Sequence, residues 1–146
     1  MIVVDASAEV AVLLNVGPEV ERIRERVAPR GQTLHVPHLF DIEVLHALRS
    51  LILRGTVSPE RARLALSRLR DTQLTRYPHA SLMERIWELR ENLSAYDAAY
   101  VALAEALDAP LITMDARLAQ APGIRAAVEV YGSTGGSPKR APDLIL

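Results

Sequence analysis

Five short apolar runs separated by helix-length segments constrain this chain more than any other feature of it. Ile2-Val3-Val4, Leu34-His35-Val36, Leu74-Thr75-Arg76-Tyr77, Leu111 to Met114 and Val128 to Tyr131 each have the length of a strand. Parallel neighbours in a sheet need a crossover between them, usually a helix, whereas antiparallel neighbours need only a turn. Strands that alternate with helices therefore predict βαβ units and a mainly parallel central sheet with helices on its faces, an α/β domain of three layers.

The helices announce themselves by spacing and by caps. Ser7 to Leu14 reads as a short helix, and Pro18 opens a second that carries Val20, Ile23 and Val27 inward. His38 to Arg54 aligns Phe40, Val44, Leu48 and Leu51 on one stripe, and Gly55 stops it. Ser58-Pro59-Glu60 combines a cap, a proline at the first helical position and an acidic second residue, and starts a helix that runs to about Asp71. Arg61 and Arg68 flank its apolar stripe on one edge, Arg63 and Arg70 on the other, a pattern more typical of a packed helix than of a phosphate grip. Ser81 to Arg90 offers Leu82, Ile86, Trp87 and Leu89 to the core; Ser94 opens the next helix; Ala116 to Ala121 forms a short last one. After Tyr131 the run Gly132 to Pro138 cannot pack, so the expectation is one domain over residues 1–131 and a flexible tail over 132–146.

Composition narrows the class. A chain of 146 residues that is 49% hydrophobic can bury one substantial core. Nothing in it is long and apolar enough to span a bilayer, and MIVVDAS lacks the features of a secretory signal, so a soluble cytoplasmic protein is expected. Without cysteine, any metal must be held by oxygen or imidazole. A net charge of −1 gives no global field of the kind that marks a nucleic-acid binder. Its basic residues, sixteen arginines and the single Lys139, fit a GC-rich genome as readily as phosphate recognition.

Four acids stand out against this background. Within Ser94 to Ala119, Asp97 lies in the first turn of a helix and Asp115 at the carboxyl end of the strand that follows, the edge where open α/β sheets place their ligands. Asp5 repeats the pattern after the first strand. Each has a plainer role as a helix cap: Ser94-x-x-Asp97 is a capping-box spacing, and Asp5 and Asp115 each precede a helix. Glu43, however, borders the apolar stripe of the long helix, where a carboxylate needs a partner, either an arginine or a shared cation. Four gathered carboxylates stay ionised together only with cations among them, and an all-oxygen set suits Mg²⁺ or Mn²⁺. Such a centre can support in-line phosphoryl displacement, the chemistry of a nuclease. Competing sites are weak: no glycine-rich phosphate loop follows the first strand, no G-x-S-x-G elbow occurs, and His38 and His46 have the wrong spacing for a zinc pair.

IVVDAS, VPHLFDIEVLHAL, YDAAYVALAEAL and PLITMDARLA, in this order, resemble PIN-domain ribonucleases of the VapC toxin type, from Met1 to about Tyr131. The resemblance implies a PIN-like fold and a metal-dependent endoribonuclease, the toxin of a type II toxin-antitoxin pair. It implies that Asp5, Glu43, Asp97 and Asp115 form the Mg²⁺ or Mn²⁺ site, with Ser7 and Thr113 as small polar groups beside it. A homodimer, an RNA substrate and a VapB-type antitoxin lying in the catalytic groove are implied as well. Two rivals remain at this stage. A response-regulator-like Mg²⁺-binding domain needs a lysine near its acids, and only Lys139 is available; a PIN-like module that binds RNA without cutting it would have no need of intact acids.

Overall fold

The computed structural model describes residues 1–132. Five strands build one sheet: β1 (Ile2–Val4), β2 (Leu34–Pro37), β3 (Leu74–Tyr77), β4 (Leu111–Thr113) and β5 (Val128–Val130). All pairings are parallel, in the order β3-β2-β1-β4-β5. The expected sheet is thus present, and its strands are parallel throughout the described residues. The chain moves outward from β1 to β2 and β3, then returns to the other side of β1 to lay down β4 and β5. The order reverses between β1 and β4, so a crevice opens at their carboxyl ends.

Successive residues of a strand face opposite sides of the sheet. Val3 and Leu111 join the larger apolar cluster, with Phe40, Val44, Tyr100 and Leu103, while Ile2, Val4 and Ile112 join a smaller one with Ala8 and Ile23. Both faces of the central strands are therefore covered, which is why these strands read as unbroken apolar runs. Each fully buried Val, Leu or Ile here contributes about 1.5–3 kcal/mol relative to leaving it in water.

Among the described residues, seven α-helices flank the sheet: α1 (Ala6–Leu14), α2 (Val20–Val27), α3 (Phe40–Leu53), α4 (Pro59–Asp71), α5 (Met83–Glu88), α6 (Ala95–Leu107) and α7 (Ala116–Ala119). Asp5, Ser58, Ser94 and Asp115 cap α1, α4, α6 and α7 through their side-chain oxygens. Asn15 and Asp108 close α1 and α6 in the left-handed conformation, with φ of 55° and 48°, which turns the chain out of each helix. Arg61 and Arg68 of α4 donate to the carbonyls of Leu14 and Leu13 at 2.9 and 2.8 Å, and so satisfy acceptors at the end of α1.

One helix differs from expectation. Ser81 to Arg90 is not a single helix but a 3-10 turn, Ala80–Leu82, followed by the six-residue α5. Leu82 and Leu89 are buried and Ile86 is partly so, but Trp87 is 66% exposed, with the Arg90 guanidinium 4.8 Å from its ring centroid. Leu82, Ile86 and Leu89 already fill the inward stripe, and one residue beyond Ile86 is a rotation of about 100° away from it. No helix among the described residues is long and apolar enough to cross a membrane.

Glu9 of α1 is only 6% exposed, and it lines a cavity of about 250 Å³ between α1, α2 and α4 whose walls include Val4, Val12, Leu13, Ile23 and Val27. Burial raises its pKa from 4.5 to about 7. Between those values the unfolded chain releases a proton that the folded chain keeps, so this residue's share of stability is present below pH 4.5 and is lost as pH rises toward 7. In urea titrations, Glu9→Gln should gain on the wild type by up to about 3 kcal/mol between acid and about pH 8, with the gap flat above that. A gap independent of pH would mean that Glu9 is not held in its protonated form.

Candidate active site

The crevice at the switch point collects its polar groups from four elements. Asp5 ends β1, Glu43 lies in the first turn of α3, Asp97 in the first turn of α6, and Thr113 and Asp115 at the end of β4. Asp5 is 8% exposed. Its Oδ1 accepts from the Ser7 hydroxyl at 2.6 Å and from the Ala8 N–H at 3.0 Å, and its Oδ2 accepts from the Thr113 hydroxyl. Burial pushes its pKa upward; the bonds from Ser7, Thr113 and Ala8 oppose that shift, and the charge of Asp97 adds to it. One carboxylate thus caps α1 and joins β1 to β4.

Ser7 and Thr113 each do a second task. The Ser7 hydroxyl oxygen accepts from the Met114 N–H at 3.1 Å, and the Thr113 hydroxyl oxygen accepts from the Asp115 N–H at 2.9 Å. These two bonds fix the backbone of the β4 exit against β1.

Glu43 is half-buried, and its Oε1 is wholly buried without a hydrogen-bond partner. Burial lifts its pKa from 4.5 to about 7, and the charges of Asp97 and Asp5 add to the rise. The Tyr100 hydroxyl, equally buried, also lacks a partner within hydrogen-bonding geometry, although it opposes the shift of Glu43. Burial, and then the negative charge of Glu43, raises the Tyr100 pKa far above its ordinary value. Tyr100 has no assigned role in the sequence reading. The signal was its position three residues after Asp97, which puts both on one face of α6.

Asp5, Glu43 and Asp97 therefore lie close enough to feel one another's charge. Asp115 differs. Its carboxylate accepts from the Arg117 N–H at 3.0 Å and takes the Arg117 guanidinium in a two-point grip, Nε to Oδ1 at 3.0 Å and Nη2 to Oδ2 at 2.7 Å. That pairing, foremost, holds the Asp115 pKa below the ordinary carboxylate value. The structure thus brings three of the four sequence-predicted acids into one electrostatic group, with Ser7 and Thr113 bonded to it, and shows the fourth engaged with an arginine.

Among the described residues, no three His, Asp or Glu side chains converge at metal-ligating geometry. The donor chemistry nonetheless fits a small hard cation: every candidate is a carboxylate, and the buried Glu43 Oε1 has no partner. Asp5 uses three of its roughly four acceptor positions, which leaves capacity for one more ligand.

A family model described as the PIN domain matches residues 2–124. The chain is 52% identical over 118 residues to Ribonuclease VapC9 of Mycobacterium tuberculosis, covering 81% of this chain and 88% of that relative. It is 45% identical over 129 residues to Ribonuclease VapC1 of the same organism, covering 88% and 96%. Among solved structures it is similar in fold to VapBC2 from Rickettsia felis bound to a DNA fragment from their promoter, with a TM-score of 0.65 at 16% identity, covering 90% of this chain and 99% of that one. The chain belongs to the PIN-domain family and, within it, to the VapC type.

Thr113 is wholly buried and bonded on both sides of its hydroxyl. Thr113→Val keeps the shape and deletes the donor to Asp5, so it should cost about 1–3 kcal/mol in thermal or urea unfolding. Thr113→Ser should recover most of that loss; equal stability of wild type and Thr113→Val would break the account of how Asp5 is held.

Proposed function

We propose that this chain is a metal-dependent endoribonuclease, the toxin of a type II toxin-antitoxin pair acting in the cytoplasm. The observation that carries the reading is the gathering of Asp5, Glu43 and Asp97 at the sheet's switch point, where burial raises Asp5 and Glu43, the charge of Asp97 adds to both shifts, and that of Asp5 adds to the shift of Glu43. Structural proteins seldom bury acids side by side, because each raises the cost of ionising the next. Membership of the VapC type supports RNA as substrate and a VapB-type antitoxin as partner, and leaves the response-regulator-like alternative without support.

Asp5, Glu43 and Asp97 would hold the cation, Mg²⁺ or Mn²⁺, with Asp115 completing the site at its edge. When bound, such an ion activates water and offsets charge developing on the phosphate. The protein's own part is to position. Ser7 and Thr113 keep the Asp5 carboxylate aimed into the crevice, and Asp97 is carried on a helix turn fixed by the Ser94 cap. Glu43, half-buried beside Asp5 and Asp97, would be placed to take a proton from the attacking water. We further propose that the chain is a homodimer and that its PIN domain occupies residues 1–131; the expected tail over 132–146 lies, beyond residue 132, outside the described residues.

Purified protein free of antitoxin should cut total cellular RNA, stop in EDTA, and resume when Mn²⁺ or Mg²⁺ is restored. Asp97→Asn should lower the rate by at least about two orders of magnitude while circular dichroism and melting remain those of the wild type. Undiminished cutting by that variant would remove Asp97 from the site. Metal binding without any cleavage would point instead to a PIN-like module that binds RNA without cutting it.

A further inference from the structure

The Asp115 carboxylate is already occupied by a cation that belongs to the chain. Arg117 grips both of its oxygens, at 3.0 and 2.7 Å. The same guanidinium also feels the charge of Asp97, so two of the site's acids act on it. The two partners differ in freedom. Asp115 is fixed from behind, because its N–H donates to Thr113 and its own carboxylate caps α7. The Arg117 side chain is 59% exposed against 21% for Asp115, on a helix of only four residues at the rim of the crevice.

A guanidinium fork matches a phosphate as well as it matches a carboxylate. A divalent ion that uses Asp115 competes with the guanidinium for the same two oxygens. We propose that Arg117 is an exchangeable counter-ion of the active site: it neutralises Asp115 in the ligand-free protein, and when a divalent metal takes that carboxylate it turns to a phosphate of the bound RNA. This rests on the metal-dependent ribonuclease reading above and adds to it the residue that binds the substrate backbone.

The exchange has a signature that a merely structural arginine lacks, because its removal acts with opposite sign on the two ligands. Arg117→Ala removes a competitor for the metal and a partner for the phosphate. Calorimetric titration with Mn²⁺ should show affinity rising about two- to five-fold, the range set by an exposed ion pair. Affinity for a single-stranded oligoribonucleotide, measured by anisotropy in Ca²⁺ with the RNA checked intact on a gel, should fall at least about ten-fold. The slope of log affinity against log salt should shrink by about 0.7, one phosphate's worth for a single strand. Arg117→Lys keeps the charge without the fork, so it should restore the salt slope and only part of the affinity. The cap on α7 survives in both variants, since it is the backbone N–H of residue 117 that donates to Asp115.

Mn²⁺ affinity unchanged or lowered in Arg117→Ala would overturn the exchange, and unchanged RNA affinity and salt slope would overturn the phosphate contact. If the wild type binds Mn²⁺ and cuts RNA while Arg117→Ala equals it in both titrations, this inference alone fails. A wild type that neither binds Mn²⁺ nor cuts RNA overturns the ribonuclease reading and this inference with it.

Discussion

A single buried carboxylate holds the site and the centre of the sheet together. Asp5 leaves β1, the middle strand, and is met by a hydroxyl and an N–H from α1 and by a hydroxyl from β4. A buried carboxylate costs free energy unless such bonds surround it. The bonds therefore specify geometry as much as they stabilise: any shift of β4 along β1 breaks the Thr113 bond, and any shift of α1 breaks those from Ser7 and Ala8. The alignment of the crevice is a consequence of satisfying one charge.

Around that point the electrostatics divide into two regimes. Asp5 and Glu43 are raised by burial, with neighbouring negative charge adding, whereas Asp115, at the rim, is lowered by an arginine. The inner acids thus store an unfavourable interaction that an external cation can relieve, and the outer acid has already found relief within the chain. The difference follows from solvent access. A long arginine side chain can reach a rim carboxylate while keeping its stem in water, but nothing in the apolar wall around Phe40 and Val44 offers Glu43 a cation.

Much of this was legible before any coordinates. Short apolar runs between helical segments predicted a parallel sheet, and the cap reading of Asp5 and Asp115 is what the structure shows, each side chain accepting from the helix that follows it. What was not legible depends on which side of a helix or a sheet a residue reaches. The side of β1 on which β4 pairs leaves no mark in local sequence, so the switch point had to be seen. Trp87 turns outward because Ile86 of the six-residue α5, with Leu82 and Leu89 at its two ends, already fills the inward stripe. Glu9 sits on a helix read only for its apolar spacing, and its burial follows from α2 and α4 closing over it. The grip of Arg117 on Asp115 depends on a rotamer, which spacing of two in a short helix does not dictate.

The strand order also has a consequence for how such a chain comes into being. β1 is made first, yet one of its two neighbours, β4, is drawn from residues 111–113, more than a hundred positions later. Until that segment has left the ribosome, Asp5 lacks its threonine and one flank of the central strand lacks a partner. A nascent chain thus carries an incomplete crevice until β4 has emerged, on a machine built of RNA. The long-range closure that slows folding also delays completion of the crevice until β4 has been made.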